Sequence, residues 1–194
     1  MIAEIGHFAL ILALVLSVVQ CVLPLVGAAR GIGSWMALAR TAAYANALFL
    51  TISFGTLAYS FYISDFTLLN VASNSNSLLP WFYKVAATWG SHEGSILFWA
   101  LMLTWWGFLV ALTSRKLPQE TVARVLGVMG FITAGFVAFM LFTSNPFLRL
   151  FPAAPEGADL NPLLQDPGMV FHPPLLYMGY VGFTVPFAFA IAAL

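Results

Sequence analysis

The sequence predicts an all-α, polytopic membrane helix bundle with about five transmembrane helices, a short interfacial helix in the first outer loop and the N-terminus outside. Of the 194 residues, 61% are hydrophobic and 7% are charged, whereas a soluble domain carries about 25% charged residues. The charges cancel, so bulk charge indicates no nucleic-acid partner. The single cysteine, Cys21, excludes a disulfide framework and a CxxC metal site. We expect a single membrane domain over residues 1–194.

Five runs without Asp, Glu, Lys or Arg provide the roughly 20 apolar residues that a membrane helix needs. We expect helices over about residues 6–29, 41–63, 95–113, 123–145 and 175–194. The first run lacks a preceding basic segment and is too long for a signal peptide, so a retained helix is expected. The fifth helix is expected to begin near Leu175, because its run opens with residues typical of a loop, namely Pro167, Gly168, Pro173 and Pro174.

The sign of the charge alternates from one connection between helices to the next. The first and third connections are net basic and hold Arg30, Arg40, Arg115, Lys116 and Arg124, with Glu120 among them. The second and fourth connections are net acidic. Because Lys and Arg mark the cytoplasmic side of a membrane, we expect the N-terminus and the two long loops, at about residues 64–94 and 146–174, to lie outside.

The first outer loop contains the predicted interfacial helix. A polar cluster that favours a turn, residues 74–77, is followed by Pro80 and an aromatic-rich segment. Proline near a helix start and aromatic residues at headgroup level are typical of a short helix at the membrane surface. Trp81, Tyr83 and Trp89 are the expected aromatic anchors of this helix.

The segment WGSHEGS, residues 89–95, precedes the third long helix and contains a candidate motif site of Trp89, His92 and Glu93. Ser91 is suited to cap the helix, and Glu93 in the first turn complements the helix dipole. His92 and Glu93 are adjacent and are expected to point to different sides of the helix. The pattern favours an N-terminal cap and leaves a functional role for His92 open.

His172 lies before two prolines at the expected outer mouth of the fifth helix. Pro173 and Pro174 fix the backbone and remove two N–H donors, and a residue before proline is biased towards extended geometry. A histidine on such a stiff support suits a metal or haem-iron ligand. A capping or interfacial histidine fits the same residues equally well, so both interpretations stay open.

Other features of the sequence give weaker indications. His7 is a lone histidine at the outer end of the first helix and is interpreted as an interfacial residue without a chemical role. Trp99 and Trp106 share one face of the third long helix, which is more typical of packing than of a platform for a porphyrin or quinone. No nucleotide-binding or hydrolase motif is present, and no catalytic residue is assigned.

Two outer segments together resemble the CcmF family of cytochrome c maturation haem lyase subunits. The first comprises NVASNSNSLLP at residues 70–80, YK at 83–84 and WGSHEGS at 89–95. The second comprises NPLLQDP at residues 161–167, HPP at 172–174 and YMGY at 177–180. The blocks occur in the same order, and the resemblance covers essentially the whole chain. Because each block is long and unusual, the resemblance is specific.

The resemblance implies the N-terminal membrane part of a cytochrome c haem lyase in a bacterial inner membrane, with its long loops in the periplasm. Such a protein holds haem b for covalent attachment to the CxxCH cysteines of apocytochrome c. By resemblance, His172 is an axial ligand of that haem iron, supported by Pro173, Pro174 and Tyr177, and no other metal is expected. The implied partners are a periplasmic haem chaperone, apocytochrome c, other cytochrome c maturation membrane subunits and the lipid membrane.

Members of this family are about three times longer than this chain. A tryptophan-rich periplasmic motif, a second periplasmic histidine and two membrane histidines that hold a resident haem lie beyond the region that this chain resembles. The 194 residues are therefore not expected to be catalytically complete. Two alternatives stay open: a related lyase for a nitrite-reductase cytochrome, and a scaffold that docks other assembly subunits and binds no cofactor. An ion transporter is disfavoured because no charged residue lies at mid-membrane.

Overall fold

The computed structural model describes residues 1–194 and contains eight α-helices, two short 3-10 turns and no β-strand. The helices are α1 (Ile2–Arg30), α2 (Gly33–Tyr62), α3 (Leu69–Asn74), α4 (Trp81–Gly90), α5 (His92–Thr113), α6 (Gln119–Thr143), α7 (Pro167–Gly182) and α8 (Thr184–Ala192). Five spans are long and apolar enough to cross a membrane: α1, α2, α5, α6, and α7 with α8. The predicted all-α bundle with five spans is confirmed.

The bundle is built around α1 and α2, which form an antiparallel hairpin. The chain reverses at Gly31, whose φ of 68° lies in the left-handed region that favours glycine. α1 also packs along α6, and α2 packs against α5. α7 lies against α4 and α5, while α8 lies against α6. The fifth span therefore attaches to one side of the bundle.

A buried hydrogen-bond network joins three of these helices near the middle of the bundle. Asn46 of α2 donates to the Gln20 Oε1 of α1 at 2.8 Å, and Gln20 Nε2 donates to the Leu126 carbonyl oxygen of α6 at 2.9 Å. Ser17 donates to the Asn46 Oδ1 at 3.2 Å. Side-chain amides that hydrogen-bond between helices stabilise their association where water is absent. The network therefore sets the register of α1, α2 and α6.

The second span begins earlier than predicted. α2 starts at Gly33 instead of residue 41, so Arg40 lies inside the helix. Its guanidinium donates hydrogen bonds to the carbonyl oxygens of Ala111 and Ser114 at the end of α5. The Ser114 oxygen also accepts from the Leu117 N–H at 3.1 Å. Carbonyl oxygens at a helix end are short of backbone donors, and a cation is favourable at a helix C-terminus. Arg40 is thus accommodated within the span by a partner on another helix.

The fifth span also begins earlier than predicted. α7 starts at Pro167, and the expected start near Leu175 is wrong. The Asp166 carboxylate accepts a hydrogen bond from the Gly168 N–H at 2.7 Å, which caps the helix. Proline is well suited to the first helical position. His172, expected as an extended residue ahead of the helix, therefore lies within α7.

The two long connections pair with each other at one end of the bundle. The Leu69 N–H donates to the Leu148 carbonyl oxygen at 2.9 Å, and the Leu150 N–H donates to the Thr67 carbonyl oxygen at 2.8 Å. Arg149 adds side-chain bonds to Thr67 and to Glu4 near the start of α1. The first connection contains α3 and α4, and α4 is the short helix predicted in that loop. The N-terminus and both loops thus share one end.

Candidate functional site

His172 lies on the exposed face of α7. Its imidazole is exposed and takes part in no hydrogen bond or ion pair of the chain. Leu175 and Leu176, three and four residues further on, lie on the same face, and Leu175 is 64% exposed. The ring therefore has both nitrogens available and is surrounded by exposed apolar side chains.

The prolines after His172 leave a gap in the hydrogen bonding of α7. Pro173 has no N–H to donate to the carbonyl oxygen of Met169, four residues earlier. The Trp89 indole N–H donates to that oxygen at 2.9 Å. A donor on α4 thus satisfies an acceptor that the proline leaves free, and it anchors the turn of α7 that carries His172.

Tyr177 attaches α7 to the bundle on the side opposite His172. Five residues separate the two, which corresponds to about 140° around the helix. The Tyr177 ring meets Phe98 edge-on at 5.4 Å and Trp99 at 5.7 Å between centroids. Phe98 stacks on Trp89 at 5.7 Å. Two residues predicted for different parts of the site, Trp89 and Tyr177, therefore belong to one aromatic cluster that holds α7.

The WGSHEGS segment forms a tight turn between α4 and α5. The Ser91 hydroxyl accepts from the Gly94 N–H at 3.1 Å, which confirms the predicted helix cap. Ser95 donates to the Trp89 carbonyl oxygen at 2.6 Å. A Cβ on Gly94 would overlap the Thr88 carbonyl oxygen, so this position requires glycine. The turn fixes the end of α4, and hence the position of the Trp89 ring.

His92 and Glu93 project from the same turn towards α6 rather than α7. The His92 Nδ1 lies 3.0 Å from the Ser144 hydroxyl at the end of α6, and 68% of the His92 side chain is exposed. The Glu93 carboxylate approaches the same nitrogen at 4.0 Å, too far for a hydrogen bond. The side chains thus come closer than expected from adjacent positions, without forming an acid–base pair.

His7 lies at the same end of α6. Its Nε2 is 3.3 Å from the Asn145 amide nitrogen, and its ring stacks on Phe147. With His92 on Ser144 and His7 on Asn145, two histidines contact adjacent residues after α6. Sequence reasoning missed Ser144 and Asn145, because no local pattern indicates which residue a histidine of another helix will meet.

The loop pairing is completed by carboxylates of the second long connection. Glu156 accepts from the Ser77 hydroxyl at 2.5 Å and from the Ser77 backbone N–H at 2.9 Å. These bonds, with one from the Gly157 N–H and the charge of Lys84, hold the pKa of the Glu156 carboxyl below its ordinary value. Asp159 accepts from the Asn76 amide at 3.1 Å. The polar cluster after α3 is therefore bound to the loop that leads into α7.

This chain matches a known protein family. A family model described as "Cytochrome C assembly protein" matches residues 89–194, more than half of the chain. The chain belongs to this family. It is 60% identical to the cytochrome c-type biogenesis protein CcmF of Pseudomonas aeruginosa and 56% identical to that of Haemophilus influenzae, in each case over 100% of this chain and 30% of the relative.

A solved structure gives the same result for the fold. "Cytochrome c Heme Lyase CcmF" matches this chain with a TM-score of 0.87 and 29% identity, over 100% of this chain and 30% of the other. The chain thus spans about 30% of the length of the family members that it matches. The resemblance found in the outer segments is confirmed, and the chain is a membrane protein of the cytochrome c assembly family.

One exposed histidine of α7, His172, could supply a single axial ligand to a haem iron. An apolar groove of about 560 Å³ begins at Leu175 on the His172 face of α7 and includes Gly179, Gly182 and Trp106. His172 does not line this groove and lies about one helical turn before Leu175, its first residue on α7. An exposed imidazole one turn from an apolar groove would suit a flat apolar ligand with a central metal. No group of three or more His, Cys, Asp or Glu side chains is arranged to hold a metal ion. A second axial ligand would have to come from outside these residues.

Proposed function

We propose that this chain is the N-terminal membrane part of a cytochrome c haem lyase, and that α7 presents His172 as an axial ligand to substrate haem. The observation that carries the proposal is the free imidazole on the exposed face of a helix whose opposite face is anchored. Tyr177 and the Trp89 N–H hold α7 from the bundle side. A ligand on a fixed support loses little freedom when it binds iron.

The chemistry assigned to haem is the addition of the two CxxCH thiols of apocytochrome c across its two vinyl groups. In this proposal the chain positions haem and supplies no general acid, general base or nucleophile. His172 must be neutral to donate a lone pair to iron. Its exposed position near the loop end of the bundle would leave a bound haem accessible to a second ligand and to the cysteines.

We further propose that the end with the long loops faces the periplasm of the bacterial inner membrane. The opposite end has a surplus of four positive charges, from Arg30, Arg40, Arg115, Lys116 and Arg124 against Glu120. The loop end has an equal surplus of negative charge. The positive-inside rule then assigns the basic end to the cytoplasm and His172 to the periplasmic half.

Partners of the proposed lyase would approach the loop end. We propose that a periplasmic haem chaperone, apocytochrome c and other maturation subunits contact this end. Large apolar side chains are strongly exposed there, with Phe151 97% and Leu78 91% exposed, and Trp81 and Leu163 beside them in the same two loops. Exposed apolar side chains at a water boundary are typical of protein or membrane contacts.

The test replaces His172 by Ala in the full-length protein. Because His172 lies inside α7, alanine is preferred to glycine, which costs about 1 kcal/mol more in a helix. We expect covalent c-type cytochrome to be lost at unchanged protein level and to recover with added imidazole, which refills the open coordination position. Val15→Ala, at an exposed position of α1 away from α7, is the control and is expected to retain activity. Unchanged maturation in His172→Ala would instead support the scaffold alternative.

A further inference from the structure

The end of the bundle opposite the long loops holds cations without acidic partners. Arg124 pairs with Glu120 at 2.5 Å. Arg115 and Lys116, in the 3-10 turn after α5, are exposed and form no ion pair within the chain. Two free positive charges therefore lie side by side at the end of a span that is long and apolar enough to cross a membrane.

Two cavities open on either side of this turn. The first, of about 260 Å³, lies between α2 and α6 and is lined by Arg40, Arg115 and Gln119. The second, of about 380 Å³, lies between α5 and α8 and joins Lys116 and Ser114 to the apolar side chains of Val110, Val185 and Phe189. Leu117 borders both cavities.

Ser114 carries a polar group with no partner. Its hydroxyl is buried and forms no hydrogen bond, although its backbone oxygen accepts from Arg40 at 2.9 Å. A buried hydroxyl without a partner is unfavourable, and such groups are normally satisfied by water or a ligand. The second cavity thus combines a free hydroxyl and an ammonium group at one end with an apolar wall at the other.

We propose that this turn binds the headgroup of an anionic phospholipid, with one acyl chain along Val185 and Phe189. The phosphate would lie in the second cavity at Lys116, with the Ser114 hydroxyl as a further donor and the charge of Arg115 on the adjoining side of the turn. The apolar wall would receive the start of the acyl chain. Basic pockets between membrane helices on the cytoplasmic side are suited to acidic lipid headgroups. The apolar wall favours a lipid, whose acyl chain can pack against it, over a free phosphate, which has no apolar part.

The test uses the full-length protein in lipid nanodiscs, with phosphatidylglycerol in a phosphatidylcholine background as the probe. Arg115→Gln/Lys116→Gln is compared with Arg30→Gln/Arg124→Gln, which removes the same charge from the same end without altering either cavity. We expect the first variant to retain at least about fivefold less phosphatidylglycerol than the second. A change of about fivefold is the effect that one basic group has on binding to an anionic membrane surface. Equal losses in both variants would show diffuse attraction and overturn the proposal.

A second variant separates lipid from free anion. Val185→Trp fills the apolar wall without changing charge, and is expected to reduce phosphatidylglycerol retention while Arg115 and Lys116 remain. Inorganic phosphate is expected not to displace the bound lipid. Displacement by phosphate at millimolar concentration, or full retention in Val185→Trp, would show that no lipid site is built here. The Arg115 and Lys116 side chains are exposed, so their variant folds and decides the outcome even where the tryptophan is not tolerated.

Discussion

The fifth span and the four spans before it are held in different ways. In the most apolar 18-residue stretch of each span, 33–50% of the residues are buried in α1, α2, α5 and α6, against 17% in α7 with α8. The first four spans share buried leucines, and three of them, α1, α2 and α6, share a buried hydrogen-bond network. The fifth is attached through Tyr177 and through two indole N–H groups, Trp89 on the Met169 oxygen and Trp106 on the Met178 oxygen at 3.1 Å.

This difference separates the residues that stabilise the bundle from the residues that hold His172 in position. Burial of apolar side chains with close packing supplies the free energy of folding in the first four spans. The fifth span contributes few buried side chains, and the residues that hold it are polar or aromatic contacts at defined points. Changes in the first four spans are therefore expected to lower stability. Changes at the attachment points of α7 are expected to lower haem attachment more than stability.

The largest effect is expected from the shared core. Leu57 of α2 is fully buried, and Leu57→Ala is expected to lower the free energy of unfolding by about 3 kcal/mol through lost packing and a cavity. Leu48, on the same helix and 57% exposed, is the control, and Leu48→Ala is expected to cost less than about 0.5 kcal/mol. Unfolding of the full-length protein in detergent measures both. Similar values would contradict the described packing of α2.

A smaller loss is expected from the buried network. Asn46→Ala leaves the Gln20 Oε1 without its donor, which is expected to cost about 1–2 kcal/mol. Replacing both partners, as in Gln20→Leu/Asn46→Leu, removes the unsatisfied group and is expected to restore most of that loss. Comparison of the unfolding free energies decides this. Additive losses would show that the two amides do not depend on each other.

At the attachment points of α7, a substitution is expected to lower haem attachment more than it lowers stability. Trp89→Phe keeps the ring that stacks on Phe98 and removes the N–H that bonds the Met169 oxygen, at a cost of about 1 kcal/mol in stability. Because the freed turn carries His172, we expect a marked fall in covalent cytochrome c and a changed absorption spectrum of any bound haem. Trp81→Phe, on the exposed face of α4, is the control.

If cytochrome c levels in Trp89→Phe match those of Trp81→Phe, the indole N–H does not position His172. A loss of stability without loss of attachment would have the same meaning. In either case the fifth span would be held in the same way as the other four, because Trp89 would then be an ordinary core residue.

The number of spans, the Ser91 cap and the short helix after Pro80 were predictable, because each depends on a local pattern of apolar, capping or proline residues. The start of α7 was not. Pro173 and Pro174 indicate a break, and the compensating Trp89 donor lies more than 80 residues away in the sequence. The early start of α2 has the same origin, since the carbonyls that accept from Arg40 belong to the last turn of α5 and to the 3-10 turn after it. Partners on distant helices decide both cases.

The smallest effect is expected where the two long loops meet. Hydrogen bonds from Ser77 hold the pKa of Glu156 below its ordinary value, so its ionised form is favoured in the folded protein. Its contribution is complete above the ordinary glutamate pKa of about 4.3 and is lost as pH falls through the lower, folded-state pKa. Protease cleavage near Ser77 is therefore expected to increase below about pH 4.

Glu156→Gln tests the assignment of this pH dependence. The amide oxygen still accepts a hydrogen bond, but the side chain no longer titrates, so cleavage near Ser77 is expected to be slightly faster at neutral pH and to change little on acidification. Asp166→Asn, at the α7 cap, removes one carboxylate of the same connection without touching Ser77. The increase in cleavage on acidification should persist in that control. If the increase also persists in Glu156→Gln, another titrating group controls the pairing of the two loops.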